Sequence, residues 1–165
     1  MATIFSRNAI GALATVISGV ATTGLRALGS NTCRLGPTIT PTAGAPQLIA
    51  GYELTAKYGA SVAANTLVAQ CWFMNDVGNS GNFPTIGTDA NGSATVFPAY
   101  APDFVFFWGI AGAGAPAVLQ STPKEVARPP WNHKVLFRNT SGQAIANVND
   151  TDTVLSESVV NDLGI

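Results

Sequence analysis

Short runs of strand length, separated by residues that favour turns, make up most of this chain after residue 47. Runs rich in apolar, β-branched and aromatic residues alternate with turns rich in Gly, Pro, Asn and Asp, one of which carries the hairpin dipeptide Asn91-Gly92. The predicted strand runs are 47–54, 65–74, 94–97, 103–111, 115–120, 133–139, 144–148, 152–158 and 159–165. The runs recur at intervals of about 8 to 12 residues, and no long helical pattern follows residue 30. The sequence therefore predicts an all-β body, a small sandwich or barrel.

The run Phe-Val-Phe-Phe-Trp at 104–108 is apolar at every position. Successive side chains of a strand point to opposite faces, so both faces of this strand need cover. We expect the domain's own second sheet to cover one face, and the N-terminal segment or a neighbouring subunit to cover the other. The segment 133–139 alternates instead, with Val135 and Phe137 on one face and Lys134, Leu136 and Arg138 on the other.

The first 28 residues have a different period. Their apolar residues recur mostly at helical spacing, and Gly29 follows where a helix often ends: Ile10, Leu13, Ile17, Val20, Leu25 and Leu28. We predict an N-terminal arm at 1–28, helical by this spacing with an extended arm as the alternative, then an extended Pro/Gly-rich linker at 29–47 and a β-rich body at 48–165. Two alternatives stay open, since the arm either packs on its own body or docks on a neighbouring subunit.

The apolar run 9–20 is shorter than the roughly 20 residues that a membrane-spanning helix needs. Arg7 is the only basic residue before it, so the run lacks the basic start of a signal peptide. We therefore expect no stable membrane insertion, and we expect the segment to belong to the mature chain.

Charged side chains are scarce for a soluble domain. They make up 10% of the residues, against 47% hydrophobic residues, whereas roughly 25% is usual for charged residues. A monomer of this composition has difficulty keeping apolar patches off its surface, so we expect contacts with copies of itself or with a larger assembly. The net charge is −1 and the basic residues are scattered, so we expect no direct binding of nucleic acid.

The sequence predicts no catalytic, cofactor-binding or metal site. Glycines 109, 112 and 114 reverse the spacing of a dinucleotide-binding loop and are expected to let a buried strand bend. His133, the single histidine, is predicted to be a solvent-facing or carbonyl-bonded turn residue. Cys33 and Cys71 are interpreted as two buried thiols, with a disulfide as the alternative. The predicted interface residues are the six apolar residues of the arm together with Trp72 and Trp131.

Three segments resemble stretches in the head-decoration (cement) proteins of tailed bacteriophages. "VLFRNTSGQAIANVNDTDTVLSESVV" is similar in its strand, polar turn and Thr-Val pair after acidic residues. "PTAGAPQLIAGYELTAKYGASVAANTLVA" resembles the Ala/Gly-rich opening of those proteins, and "FFWGIA" resembles a strand in the middle of their chains. The resemblance implies a small β-rich protein bound to a capsid lattice, and it assigns no functional residues.

The hypothesis from the sequence is a virion structural protein, either a decoration or a minor capsid subunit on the capsid surface. Its expected partners are the capsid lattice and copies of itself. One alternative is a coat protein that assembles into the shell by itself. Another is a receptor- or carbohydrate-binding β-domain that uses exposed Trp72 or Trp131 for stacking. An enzyme is the least favoured class.

Overall fold

The computed structural model describes residues 7–10, 13–19, 24–41, 49–63, 65–76, 81, 83, 98–107, 117–147 and 153–162. Within these ranges the chain forms ten strands and no helix, which confirms the predicted all-β class. The strands are β1 (Arg7–Ile10), β2 (Ala14–Ile17), β3 (Cys33–Leu35), β4 (Ile49–Tyr58), β5 (Leu67–Asp76), β6 (Phe104–Phe107), β7 (Ala117–Gln120), β8 (Lys124–Ala127), β9 (Asn132–Asn139) and β10 (Val154–Asp162).

The strands form two antiparallel sheets, A and B. In sheet A, β10 and β4 are neighbours, β1 and β2 share the outer edge of β10, and β7 and β8 share the outer edge of β4. Its six strands therefore occupy four lateral positions. Sheet B has the order β3-β9-β5-β6. Buried side chains of both sheets join in one core cluster, so the fold is a β-sandwich.

The core consists of residues that alternate along the central strands. On β4 the even-numbered residues from Tyr52 to Tyr58 are fully buried, and the odd-numbered ones between them are only half-buried. On β9 Val135 and Phe137 enter the same core cluster, whereas Leu136 belongs to a separate cluster. The predicted alternation of 133–139 is therefore confirmed, and the two-residue period selects the face of each strand that is buried.

A second apolar cluster lies on the outer face of sheet B. It consists of five buried residues: Cys33, Leu35, Trp72, Met74 and Leu136. The indole Nε1 of Trp72 donates a hydrogen bond to the carbonyl oxygen of Tyr100 at 3.1 Å. Residues before β6 therefore cover part of the outer face of sheet B. For the strand at 104–108, the sequence predicts that the N-terminal segment or a neighbouring subunit covers one face.

The two cysteines lie on opposite faces of sheet B. Cys33 is in the outer cluster and Cys71 is in the inner core, and both are free and buried, as predicted. Their side chains point away from each other across the sheet, a geometry that excludes a disulfide. Burial raises the pKa of Cys33 to about 11, although the charge of Arg138 partly opposes the shift. Burial also raises the pKa of Cys71, so both thiols stay protonated.

The helical form of the predicted N-terminal arm is wrong at residues 7–10 and 14–17, which form the extended strands β1 and β2. Both strands pair with β10, from Arg7 opposite Asp162 to Ile17 opposite Leu155. The apolar spacing fits a helix, but Gly11 and Gly19 weaken one, and the edge of β10 offers backbone partners to the β-branched run at 14–17. The pairing of β1 and β2 with β10 therefore decides the secondary structure here, against the helical spacing of the apolar residues.

The described residues 24–28 also belong to the body. Leu25 and Leu28 are fully buried in the core, and the side-chain amide of Asn139 donates to the carbonyl oxygen of Leu28 at 3.1 Å. The predicted linker at 29–47 likewise contains β3, which pairs with β9 at the edge of sheet B. The described parts of both segments are thus integral to the sandwich.

Other strand predictions differ in detail. The runs 152–158 and 159–165 contribute to the single strand β10, and the sequence reasoning missed β8. Of the predicted run 144–148, the described part has one bridge, between Ile145 and Tyr58. The predicted hairpin at Asn91-Gly92 and the glycines at 109–114 lie outside the described residues.

Leu28 lies in the core and Leu13 at the surface, so the same substitution has different effects at these two leucines. Leu28 is 0% exposed and Leu13 is 59% exposed. We expect Leu28→Ala to lower the free energy of unfolding by about 2–5 kcal/mol because it leaves a cavity. Leu13→Ala, the matched control, changes it by about 0.5 kcal/mol or less. Urea unfolding followed by tryptophan fluorescence measures both, and equal effects contradict this packing.

Candidate functional site: a buried ionic cluster

The chain crosses from sheet A to sheet B between β8 and β9. Only residues 128–131, Arg-Pro-Pro-Trp, connect the two strands. The prolines fix their own φ angles and lack a backbone N–H, which suits an extended crossing that takes no part in a ladder. Val126 contacts the core, and the two-residue period places Arg128 on the same inner side. A charged side chain is thereby directed between the sheets.

Arg128 meets a carboxylate there. Its Nη2 lies 2.9 Å from Oε1 of Glu157, and the two side chains are only 4% and 5% exposed. Tyr52, which lies opposite Glu157 in the β4–β10 ladder, donates its hydroxyl to Glu157 Oε2 at 2.6 Å. Both carboxylate oxygens therefore have partners, as a buried charge requires.

His133 is the fourth member of this group, and we call Tyr52, Arg128, His133 and Glu157 the ionic cluster. His133 lies on the inner face of β9, fully buried, with Nδ1 2.9 Å from the carbonyl oxygen of Trp131. Because a carbonyl oxygen only accepts hydrogen bonds, Nδ1 carries the proton. Within the described part of the chain, no hydrogen-bond partner lies at Nε2. The histidine is thus carbonyl-bonded, as predicted, but in a strand rather than in a turn.

Burial sets the protonation of this cluster. It raises the pKa of Tyr52, and the negative charge of Glu157 and the hydrogen bond to it raise that pKa further, so the phenol remains a donor. Burial lowers the pKa of His133; the bond to Trp131 opposes this shift, the charge of Arg128 adds to it and that of Glu157 opposes it. His133 is therefore neutral near pH 7.

Aromatic rings connect the members of the cluster across the sandwich. The ring of His133 meets that of Phe73 edge-on at 5.4 Å, and Phe73 lies 5.6 Å from Phe104. Phe104 in turn stacks on Tyr52 at 4.6 Å with 21° between the planes. This row passes from sheet B to sheet A and packs the ionic cluster against apolar surface.

The cluster contains the residue types of acid–base catalysis, but its side chains are enclosed. A general acid or base must come within about 2.6–3.2 Å of the group that it serves, directly or through one water. A side chain that is 5% exposed or less offers a substrate no such approach in this conformation. What the arrangement does is hold β4, β10 and the crossing at Arg128 together through paired charges and hydrogen bonds.

Two other features, a metal centre and a membrane-spanning helix, are absent from the part of the chain that the structure describes. There, no three His, Cys, Asp or Glu side chains come together as a set of metal ligands. Nor do the described residues include a helix long and apolar enough to cross a membrane.

Six of the eight predicted interface residues divide into a buried group and an exposed group. Ile17, Leu25, Leu28 and Trp72 are at most 2% exposed and pack inside this chain, so they are not available to a neighbouring subunit or, in the case of Trp72, to a sugar ring. That prediction is corrected for these four, because the sheets of the chain itself cover them. Leu13 and Trp131 are 59% and 41% exposed. Ile10 lies in β1, and Val20 lies outside the described residues.

Two further large side chains are exposed, Tyr100 and Phe107, at 57% and 53%. Phe107 lies opposite Leu67 at one end of β5, whereas Trp131 precedes Asn132, which lies opposite Asp76 at the other end. Phe107 and Trp131 therefore lie at opposite ends of sheet B.

Sequence reasoning missed the ionic cluster. One signal was present, because Glu157 shares a face with Leu155 under a two-residue period, which is unusual for a carboxylate of a half-buried strand. Its partners Tyr52 and Arg128 are distant in sequence, so only the strand pairing brings the three together.

The sequence matches no protein-family model, and comparisons with curated proteins and with solved structures give no significant match.

Removing one charge of the buried pair lowers the free energy of unfolding more than removing an exposed charge does. We expect Glu157→Gln to lower the free energy of unfolding by about 3–5 kcal/mol, because Arg128 then remains buried without its carboxylate. The matched control is Glu125→Gln on β8, where the side chain is exposed, with an expected change of about 0.5 kcal/mol or less. Chemical unfolding measures both variants, and similar values for the two contradict the assignment.

Proposed function

We propose that this protein is a virion structural protein, a decoration (cement) or minor capsid subunit that stabilises a capsid lattice through contacts between subunits. Its proposed location is the capsid surface, and its partners are the capsid lattice and other copies of this chain. One observation carries the proposal. The polar groups of the ionic cluster are enclosed between the sheets, while large apolar side chains remain exposed at several separate positions.

The exposed area of the aromatic side chains sets how much free energy contacts between subunits supply. An aromatic side chain buries about 150–250 Å², and roughly half of the Tyr100, Trp131 and Phe107 side chains is still exposed. Covering each one supplies about 2–3 kcal/mol gross at 25 cal/mol per Å². Association costs about 4–15 kcal/mol, so no single contact of this kind suffices. Several contacts with different neighbours suffice together, and a lattice provides them.

The low charge of the chain and the sequence resemblance support the same proposal. A chain with 10% charged residues gains from covering apolar surface in an assembly. The segments that resemble phage decoration proteins include all of β4, the first three residues of β5 and most of β9 and β10, so they fall mainly on central strands of the two sheets. The shared pattern therefore falls on the body of the sandwich.

A second candidate is a carbohydrate- or receptor-binding β-domain. The observation in its favour is Trp131, which is 41% exposed and directly follows Pro129-Pro130 at the crossing between the sheets. A rigid, partly exposed indole is a suitable stacking surface for a sugar ring. A glycan-array signal that disappears in Trp131→Ala supports this candidate over the capsid role.

Neighbouring phenylalanines on β6 provide the test of surface contacts. Phe107 is 53% exposed and Phe106 is 0% exposed. We expect the wild-type protein to self-associate in sedimentation velocity, and Phe107→Ser and Trp131→Ser to weaken the association with about 0.5 kcal/mol or less of change in the free energy of unfolding. Phe106→Ser, the control, destabilises the fold by about 3–5 kcal/mol.

Two outcomes argue against the decoration role. If the wild-type chain stays monomeric at high concentration and does not bind purified capsids, the proposed subunit interfaces do not form. Closed particles formed by the purified chain alone, seen by electron microscopy, favour the alternative of a self-assembling coat protein.

A further inference from the structure

His133 occupies an unusual position for a titratable group. Its side chain is completely buried between the sheets, with Nδ1–H bonded to the carbonyl oxygen of Trp131 and the edge of the ring against Phe73. Among the described residues, none forms a hydrogen bond with Nε2, the atom that takes up a proton. A proton added at Nε2 thus creates a cation with no hydrogen bond to a described residue already formed at that atom.

The two charged side chains that act on His133 have opposite signs. Arg128 at the end of β8 is positive, Glu157 on β10 is negative, and Tyr52 on β4 donates its proton to Glu157 in a hydrogen bond. The other elements that meet His133 contribute uncharged residues, namely Phe73 and Asn75 of β5 and Ile39, which forms a backbone bridge. Lys134, the next residue of β9, belongs to the opposite face, where its Nζ lies 4.7 Å from the ring centre of Phe83.

We propose that His133 is an acid-sensitive trigger: when its imidazole takes up a proton, an uncompensated positive charge inside the sandwich weakens the contact between sheets A and B. Glu157 is engaged by both Arg128 and Tyr52, so the extra charge leaves the ionic cluster with two cations and one anion. An unpaired buried charge is costly, and the protein relieves the cost by opening. This inference does not depend on the proposed function.

The direction of the pH dependence follows from the folded and unfolded states. In the unfolded chain the imidazole has a pKa of about 6.5, and burial lowers the pKa of His133 in the folded protein. Above about pH 6.5 the imidazole is neutral in both states, so His133 does not lower the free energy of unfolding. As the pH falls from there towards the folded-state pKa, the unfolded chain binds one more proton, and the unfolding equilibrium constant rises by up to about tenfold per pH unit.

Because the sequence contains a single histidine, the effect is assigned to one residue. The experiment is urea unfolding of the full chain, at several values between about pH 8 and pH 5. His133→Asn keeps an N–H donor for the carbonyl of Trp131, and His133→Phe keeps a flat ring beside Phe73. Neither side chain titrates, so we expect both variants to lose the wild-type rise in the unfolding constant below about pH 6.5.

Lys134→Gln is the matched control, since it changes a charge on the adjacent residue at the opposite face. We expect it to keep the wild-type pH profile. If the His133 variants fold poorly, NMR of the imidazole nitrogens in the wild-type protein tests the proposal instead. We expect a neutral imidazole protonated at Nδ1 and a titration midpoint below about 6.5. The proposal is overturned by a His133 titration at or above 6.5, by a wild-type stability that does not change across this range, or by variants that retain the full pH dependence.

Discussion

The contact between the inner faces of sheets A and B holds this molecule together, and the other features depend on it. Tyr52, Leu54 and Tyr58 of β4 share one core cluster with Val135 and Phe137 of β9. Because the side-chain period of a strand is two, a shift of one residue in either sheet would expose this whole set. The buried residues therefore fix the register of the strands as well as the thickness of the core.

The ionic cluster lies within that contact, where the chain crosses between the sheets after β8. Glu157 accepts from both Arg128 and Tyr52, so the cluster ties β10 to β4 and to the start of the crossing. Buried ion pairs rarely add net stability over apolar residues of equal volume, but a broken pair is costly. The cluster thus penalises any arrangement that separates these strands. The same enclosure makes His133 sensitive to protonation and keeps the polar groups from a substrate.

The candidate site was hardly foreseeable from the sequence. A two-residue period marks Glu157 as an inward residue, but Tyr52 and Arg128 become its partners only through the β4–β10 ladder and the position of β8, which sequence reasoning missed. Trp72 was predicted to be an interface residue, and its strand was recognised. The cover from the segment at Tyr100 decides that it is buried, and this contact joins residues far apart in the chain.

The sequence by itself determined the all-β class, the positions of the central strands and the inward face of β9, because apolar alternation and turn residues are local signals. It also determined that Cys33 and Cys71 are buried, since free cysteine behaves as a small apolar residue. Only the tertiary structure decided that residues 7–10 and 14–17 form strands. Their apolar spacing fits a helix, but the open edge of β10 supplies backbone hydrogen bonds and a buried site for Ile17. Pairing across more than a hundred residues prevails there over local propensity, and no local pattern encodes it.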